Sequence, residues 1–155
     1  MTIDVVHATS AAQIEQARAL FREYQASLAV DLCFQGFADE LMRLPGAYAP
    51  PSGRLLLCTV DAVPQGCVAL QALGAADCEM KRLYVRSEQR GLGLGQRLLG
   101  QVLAEARALG YRRMFLDTLP SMTRAIAMYE ALGFQDVAPY RPNPVPGARY
   151  LALAL

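Results

Sequence analysis

A strand-like run, a glycine-rich connection and the strongest amphipathic segment of the chain follow one another between residues 78 and 109. The run is CEMKRLYV, residues 78–85, and the connection lies in VRSEQRGLGLGQRLLG, residues 85–100, with glycines at alternate positions 91, 93 and 95. Over residues 93–109, Leu94, Leu98, Leu99, Val102, Leu103, Ala106 and Leu109 recur at helical spacing and form one apolar stripe. Gly110 then stands where a helix stop is expected. The chain must therefore leave an extended segment and enter a helix through Gly91, Gly93 and Gly95. A helix start exposes N–H groups without intrahelical partners and carries partial positive charge, so it suits a phosphate. Glycines let the backbone approach such an anion and take positive φ, and Arg90 adds a charge. Taken alone, the stretch also fits a plain turn.

Two better-known phosphate loops fit poorly. A dinucleotide fingerprint counted from Gly91 requires glycine where Gln96 stands, and a Walker loop requires Gly-Lys-Ser/Thr, which is absent.

The remaining segments set the architecture. IDVVHAT reads as a first strand, and SAAQIEQARALFREYQASL as a helix opened by Ser10 and Gln13 at capping-box spacing. FADELMRL reads as a shorter helix stopped by Pro45. RLLLCTV and GCVALQAL read as a hairpin whose connection, DAVPQG, supplies Pro64 and Gly66. RRMFLDT is a strand, SMTRAIAMYEAL a helix closed by Gly133, FQDV a short strand and ARYLALAL a last strand. The order is strand, two helices, three strands, helix, strand, helix, two strands. Mixing hairpins with strand-helix-strand crossovers predicts an α/β layer structure with a mixed sheet. No repeat or linker divides the chain, so residues 1–155 are expected to form a single domain.

Composition narrows the function classes. Hydrophobic residues make up 54% and charged residues 19%, which suits a compact globule. A net charge of +1 provides no field to recruit nucleic acid or an anionic membrane. No apolar run approaches the roughly 20 residues that span a bilayer, and MTIDVVHATS lacks the pattern of a signal peptide. A cytoplasmic protein is the expectation. Cys33, Cys58, Cys67 and Cys78 form no C-x-x-C pair and read as buried reduced thiols, with no metal site. His7 is the only histidine and reads as a strand-end or surface imidazole, so a Ser-His-Asp or Cys-His machine is not expected.

Arg90-x-x-Gly93-x-Gly95 after KRLYV resembles the pyrophosphate loop of the GNAT superfamily, the acetyl-CoA-dependent N-acetyltransferases. AIAMYEALGF is similar to that family's Y-E-x-L-G-F helix and strand, and Glu79, eleven residues before Arg90, is a third match. Order and spacing agree from about residue 54 to 137. The resemblance implies a GNAT-type acyl-CoA N-acyltransferase fold, with a mixed, mostly antiparallel sheet flanked by helices. It also implies acetyl-CoA as cosubstrate. The backbone of Leu83, Tyr84 and Val85 would pair with the pantetheine arm, and Arg90, Gly91, Leu92, Gly93, Leu94 and Gly95 would hold the pyrophosphate.

By the same resemblance Glu79 is the general base and Tyr129 the proton donor to the coenzyme A sulfur. A strand carboxylate paired with Lys81 or Arg82 is the other reading of Glu79, and Asp77 and Asp117 are further base candidates. Tyr129 also fits a buried stripe with Ile126 and Leu132. Tyr140, Arg141, Asn143 and Arg149 are the candidate acceptor contacts, and Arg141 or Arg149 is suited to a substrate carboxylate. The acceptor expected is the primary amine of a small molecule. A protein lysine or N-terminus, a non-catalytic acyl-CoA sensor and a homodimer all stay open.

Overall fold

The computed structural model describes residues 1–28, 31–32 and 36–155. Seven strands form one sheet: β1 (Ile3–His7), β2 (Arg54–Val60), β3 (Val63–Leu73), β4 (Asp77–Val85), β5 (Arg113–Thr118), β6 (Gln135–Asp136) and β7 (Arg149–Ala154). Among the described residues four α-helices accompany them: α1 (Ala11–Ser27), α2 (Phe37–Arg43), α3 (Leu94–Ala108) and α4 (Thr123–Ala131). The order along the chain is the one the sequence predicts.

Local chemistry explains the helix ends. Gln13 N–H donates to Ser10 Oγ and Ser10 N–H to Gln13 Oε1, both at 3.1 Å, which closes the capping box of α1. Such a cap stabilises by about 1 kcal/mol. α3 starts after Gly93 at φ 74° and ends just before Gly110 at φ 85°, both in the left-handed region that favours glycine. Its stripe from Leu94 to Ala106 is buried.

The hairpin differs from expectation. Pro64 and Gly66 lie inside β3, and the turn is the residue pair Asp61–Ala62, at φ 49° and 67°. Two positive φ values match the right-handed twist of a tight hairpin. A register shift between Cys58 and Thr59 accommodates Pro64, which has no N–H to give a ladder.

The spatial strand order is β1-β2-β3-β4-β5-β7-β6, and β4–β5 is the one parallel pair in it. α3 and α4 pack on one face over Leu56, Val68, Met80 and Leu116. α1 and α2 pack on the other over Leu55, Leu57, Cys67 and Ala69. The parallel ladder runs only through Asp77–Arg113, Cys78–Met114 and Glu79–Phe115. Beyond it the two strands part, and the β5-facing edge of β4 from Met80 onward is unpaired. A bulge assists: Arg82 and Leu83 lie opposite Val68 alone, with Arg82 at φ 62°.

Cys58, Cys67 and Cys78 are buried free thiols, and burial pushes all three up in pKa; Cys33 lies outside the described residues. His7 is half-exposed at the end of β1, with Nε2 3.1 Å from Glu105 Oε1 and two strands between it and β4. Among the described residues no helix is long and apolar enough to cross a membrane.

Candidate active site

The gap between β4 and β5 opens into a cleft walled by α1 and α4. At one end β4 runs through Arg86–Gln96 into α3. Gly91 stands at φ 95° and Gly93 at φ 74°, where a side chain would be strained. A Cβ on Gly91 would have nothing within 4 Å, so conformation rather than crowding calls for glycine. At Gly95 a Cβ would lie 3.4 Å from Met128 Cε, so there the start of α3 is packed against α4. No side chain caps this end. The first helical hydrogen bond is Arg97 N–H to Gly93 O at 3.1 Å, so the N–H groups of Leu94, Gly95 and Gln96 have no partner within the helix. Arg90 is exposed and makes no ion pair among the described residues.

Leu83 lines the cleft, while Tyr84 and Val85 pair with Cys67 and Gly66 on β3. Arg86, next in line, is clamped to α1: its Nε and Nη2 donate to Glu23 at 2.9 and 2.7 Å. The loop therefore leaves a strand end that is fixed from both sides.

Tyr129 lines the cleft from α4. It is 4% exposed, and its ring lies tilted against Phe134 with centroids 5.6 Å apart. Among the described residues its hydroxyl makes no hydrogen bond. Burial, with a smaller contribution from Tyr24, holds its phenol well above the ordinary range, so it is protonated at neutral pH. Tyr24 lines the same cleft from α1, and burial pushes it up to about 12.

A charged cluster adjoins the cleft beside its lining residues Lys81, Asp117 and Asn143. Glu79 is 0% exposed and accepts from Gln71 Nε2 at 2.8 Å and Tyr140 Oη at 2.7 Å, and it is ion-paired with Arg141. The alternative pairing, with Lys81 or Arg82, is not the one seen among the described residues. Arg82 binds Glu40 instead, and the loop before β7 lays Tyr140 and Arg141 onto Glu79. Tyr140 is fixed edge-on between Phe115 and Tyr150, at 5.3 and 5.6 Å. Burial, then the neighbouring Glu79 charge, raises its phenol pKa. Asn143 Nδ2 donates to Asp117 Oδ2 at 3.1 Å. Arg149 does not join this cluster. Its guanidinium turns to β6 and α4, pairing with Asp136 at 2.9 Å and Glu130 at 3.6 Å. Asp77 is likewise engaged, with Arg113 at 3.0 Å. Among the described residues no group of three His, Cys, Asp or Glu could hold a metal ion.

The chain is similar in sequence and in fold to known proteins. The profile described as the acetyltransferase (GNAT) family matches residues 15–134. The chain belongs to the GNAT family. An uncharacterized N-acetyltransferase of Schizosaccharomyces pombe is 38% identical over 144 residues, covering 92% of this chain and 88% of the yeast protein. A GNAT-family acetyltransferase structure from Staphylococcus aureus superposes with a TM-score of 0.82 at 18% identity, covering 99% of both chains. An acetyltransferase structure from Salmonella typhimurium, solved with acetyl-CoA, superposes at 0.70 and 18% identity over 99% of this chain and 94% of that one. The protein is thus an N-acetyltransferase of the GNAT family.

Two cleft residues escaped the sequence analysis. Lys81 had a legible signal, since it lies two positions after Glu79 on one strand and so shares its face. Tyr24 had none, because its helical spacing fits burial and cleft lining equally.

Proposed function

We propose that the protein transfers an acetyl group from acetyl-CoA to the primary amine of a small molecule, by direct attack of the amine on the thioester. The observation that carries this reading is the parting of β4 and β5, with unpartnered N–H groups at one end of the gap and a partnerless protonated phenol in its wall. The residues suit the donor. Open space over Gly91, free N–H groups at the start of α3 and the unpaired Arg90 fit a pyrophosphate, and the unpaired edge of β4 at Leu83–Val85 fits an amide-bearing arm. Acetyl-CoA, when bound, supplies an activated acetyl thioester.

The chain's own residues then manage protons. An alkylamine is mostly protonated at pH 7, so only its neutral fraction attacks. As the C–N bond forms, the nitrogen becomes acidic and needs an acceptor. Glu79 already receives three donors, and a proton arriving there must displace Arg141 or Tyr140. Asp117 lines the cleft, is half-buried and has one oxygen with no partner among the described residues. That occupancy favours Asp117 as the acceptor, with Glu79 organising Tyr140 and Arg141. Tyr129 gives its proton to the departing sulfur, and solvent at the cleft mouth restores both groups.

Thiol release from acetyl-CoA with a panel of small amines tests this reading, with products identified by mass spectrometry. Tyr129→Phe should lower turnover about 10²- to 10⁴-fold, the usual range for a positioned acid. Its melting temperature should change little, since the hydroxyl it loses has no partner. Unchanged turnover, where chemistry limits the rate, removes Tyr129 as the acid.

A further inference from the structure

Arg141 and Arg149, the two cations expected to meet a substrate carboxylate, are already neutralised, the first by Glu79 and the second by Asp136 and Glu130. Arg82 is neutralised as well, by a two-point pair with Glu40 at 2.9 and 2.8 Å, and its Cζ lies 5.0 Å from the centre of the Phe37 ring. Lys81 stands among these pairs without one. It is 7% exposed, lines the cleft and makes no hydrogen bond or ion pair among the described residues. The charges acting on it are Arg82 and Glu79 from its own strand, Arg141 from the loop before β7 and Glu40 from α2. Two guanidiniums and two carboxylates cancel, so the charge of Lys81 itself is left over. Burial, and next the Arg82 charge, holds its pKa below the ordinary lysine value. The Lys81 ammonium is shielded from much of the water yet still reaches the cleft, and an anion supplied by a ligand would give it the partner it lacks.

Position says where such an anion would sit. The β4–β5 ladder ends at Glu79–Phe115, and Lys81 and Asp117 each lie two residues further on. By strand alternation they share one face, on opposite sides of the gap where it begins to open. We propose that Lys81 is the receptor for a carboxylate on the acceptor. The acceptor is then an amine that also carries a carboxylate, as an amino acid does, with its nitrogen toward Asp117. This rests on the reading of the cleft as the acceptor site of an acetyltransferase.

The test uses the full chain saturated with coenzyme A, a stand-in that cannot transfer acetyl. Its binding is first verified as a rise in melting temperature. Calorimetric titration then compares each of the common amino acids with its primary amide and its decarboxylated amine. At least one amino acid should bind about 10- to 10²-fold more tightly than its uncharged-end partners, the usual value of a hydrogen bond between charged groups. In Lys81→Met that ratio should fall below about threefold. The ligand-free variant should melt at the same temperature or higher, because the substitution breaks no ion pair or hydrogen bond among the described residues and removes a largely shielded charge. If no pair shows a carboxylate preference, or the preference survives in Lys81→Met, the proposal is overturned. If coenzyme A itself fails to raise the melting temperature, the cofactor assignment falls, and this proposal with it.

Discussion

Between Arg90 and Gln96 the groups available to a ligand are main-chain N–H groups, set by two glycines at positive φ and by the start of α3. At the other end they are the side chains of Lys81 and Asp117, which line the cleft, with Glu79, Tyr140 and Arg141 clustered beside them, drawn from β4, β5 and the loop before β7. Gln71 from β3 and Glu40 from α2 complete that cluster. The first end is made of neighbours in sequence and holds its shape through backbone conformation. The second is made of charges that neutralise one another in pairs across the fold. A ligand common to many proteins can be held by the first kind of surface, because few side chains matter to it. Under the proposed function, choice among acceptors falls to the second, where changing one charge strands its partner.

The sharpest way to break this contrast lies within the charged end. Asp117→Asn should lower turnover about 10²- to 10⁴-fold with little change in melting temperature, as expected for loss of a proton acceptor. Glu79→Gln should do the opposite, destabilising by about 2–3 kcal/mol because Arg141 loses its anion. That cost is below the range for a fully buried pair, since the Arg141 side chain is 27% exposed. Measuring both properties on both variants decides between the carboxylates, and a larger rate loss in Glu79→Gln would return the base role to Glu79.

At the glycine end the backbone should matter more than charge. Gly93→Val forces a β-branched residue to φ 74°, which costs about 1–3 kcal/mol. The variant should still fold but lose the rise in melting temperature that acetyl-CoA gives the wild type. Arg90→Gln removes an exposed charge and should weaken acetyl-CoA only about two- to fivefold, measured by calorimetry. Equal losses in the two variants would mean that charge, not backbone, holds the phosphate.

The same contrast explains what was legible in the sequence. The glycine loop and the α3 stripe are local patterns, and both stand where the residue spacing puts them. The hairpin turn did not announce itself because Asp61–Ala62 is not the usual Asn-Gly pair. A tertiary tie holds it: Asp61 N–H donates to Thr2 O at 2.7 Å and Thr2 N–H to Asp61 Oδ1 at 2.8 Å. The partners of Glu79 and Arg149 were illegible for a related reason. Which arginine reaches the cleft depends on how the loop before β7 folds back, and β6 supplies Asp136 to hold Arg149 outside. Lys81 gains its meaning only when those other cations are seen to be paired.

Hydrogen–deuterium exchange with and without acetyl-CoA tests most directly whether the donor lies along β4 and against the start of α3. Peptides covering residues 80–85 and 90–96 should slow their exchange on binding, because unpaired amides there gain partners, while peptides of β1 and β2 should not change. Binding that leaves both peptides unprotected would contradict the placement of the donor in the gap between β4 and β5.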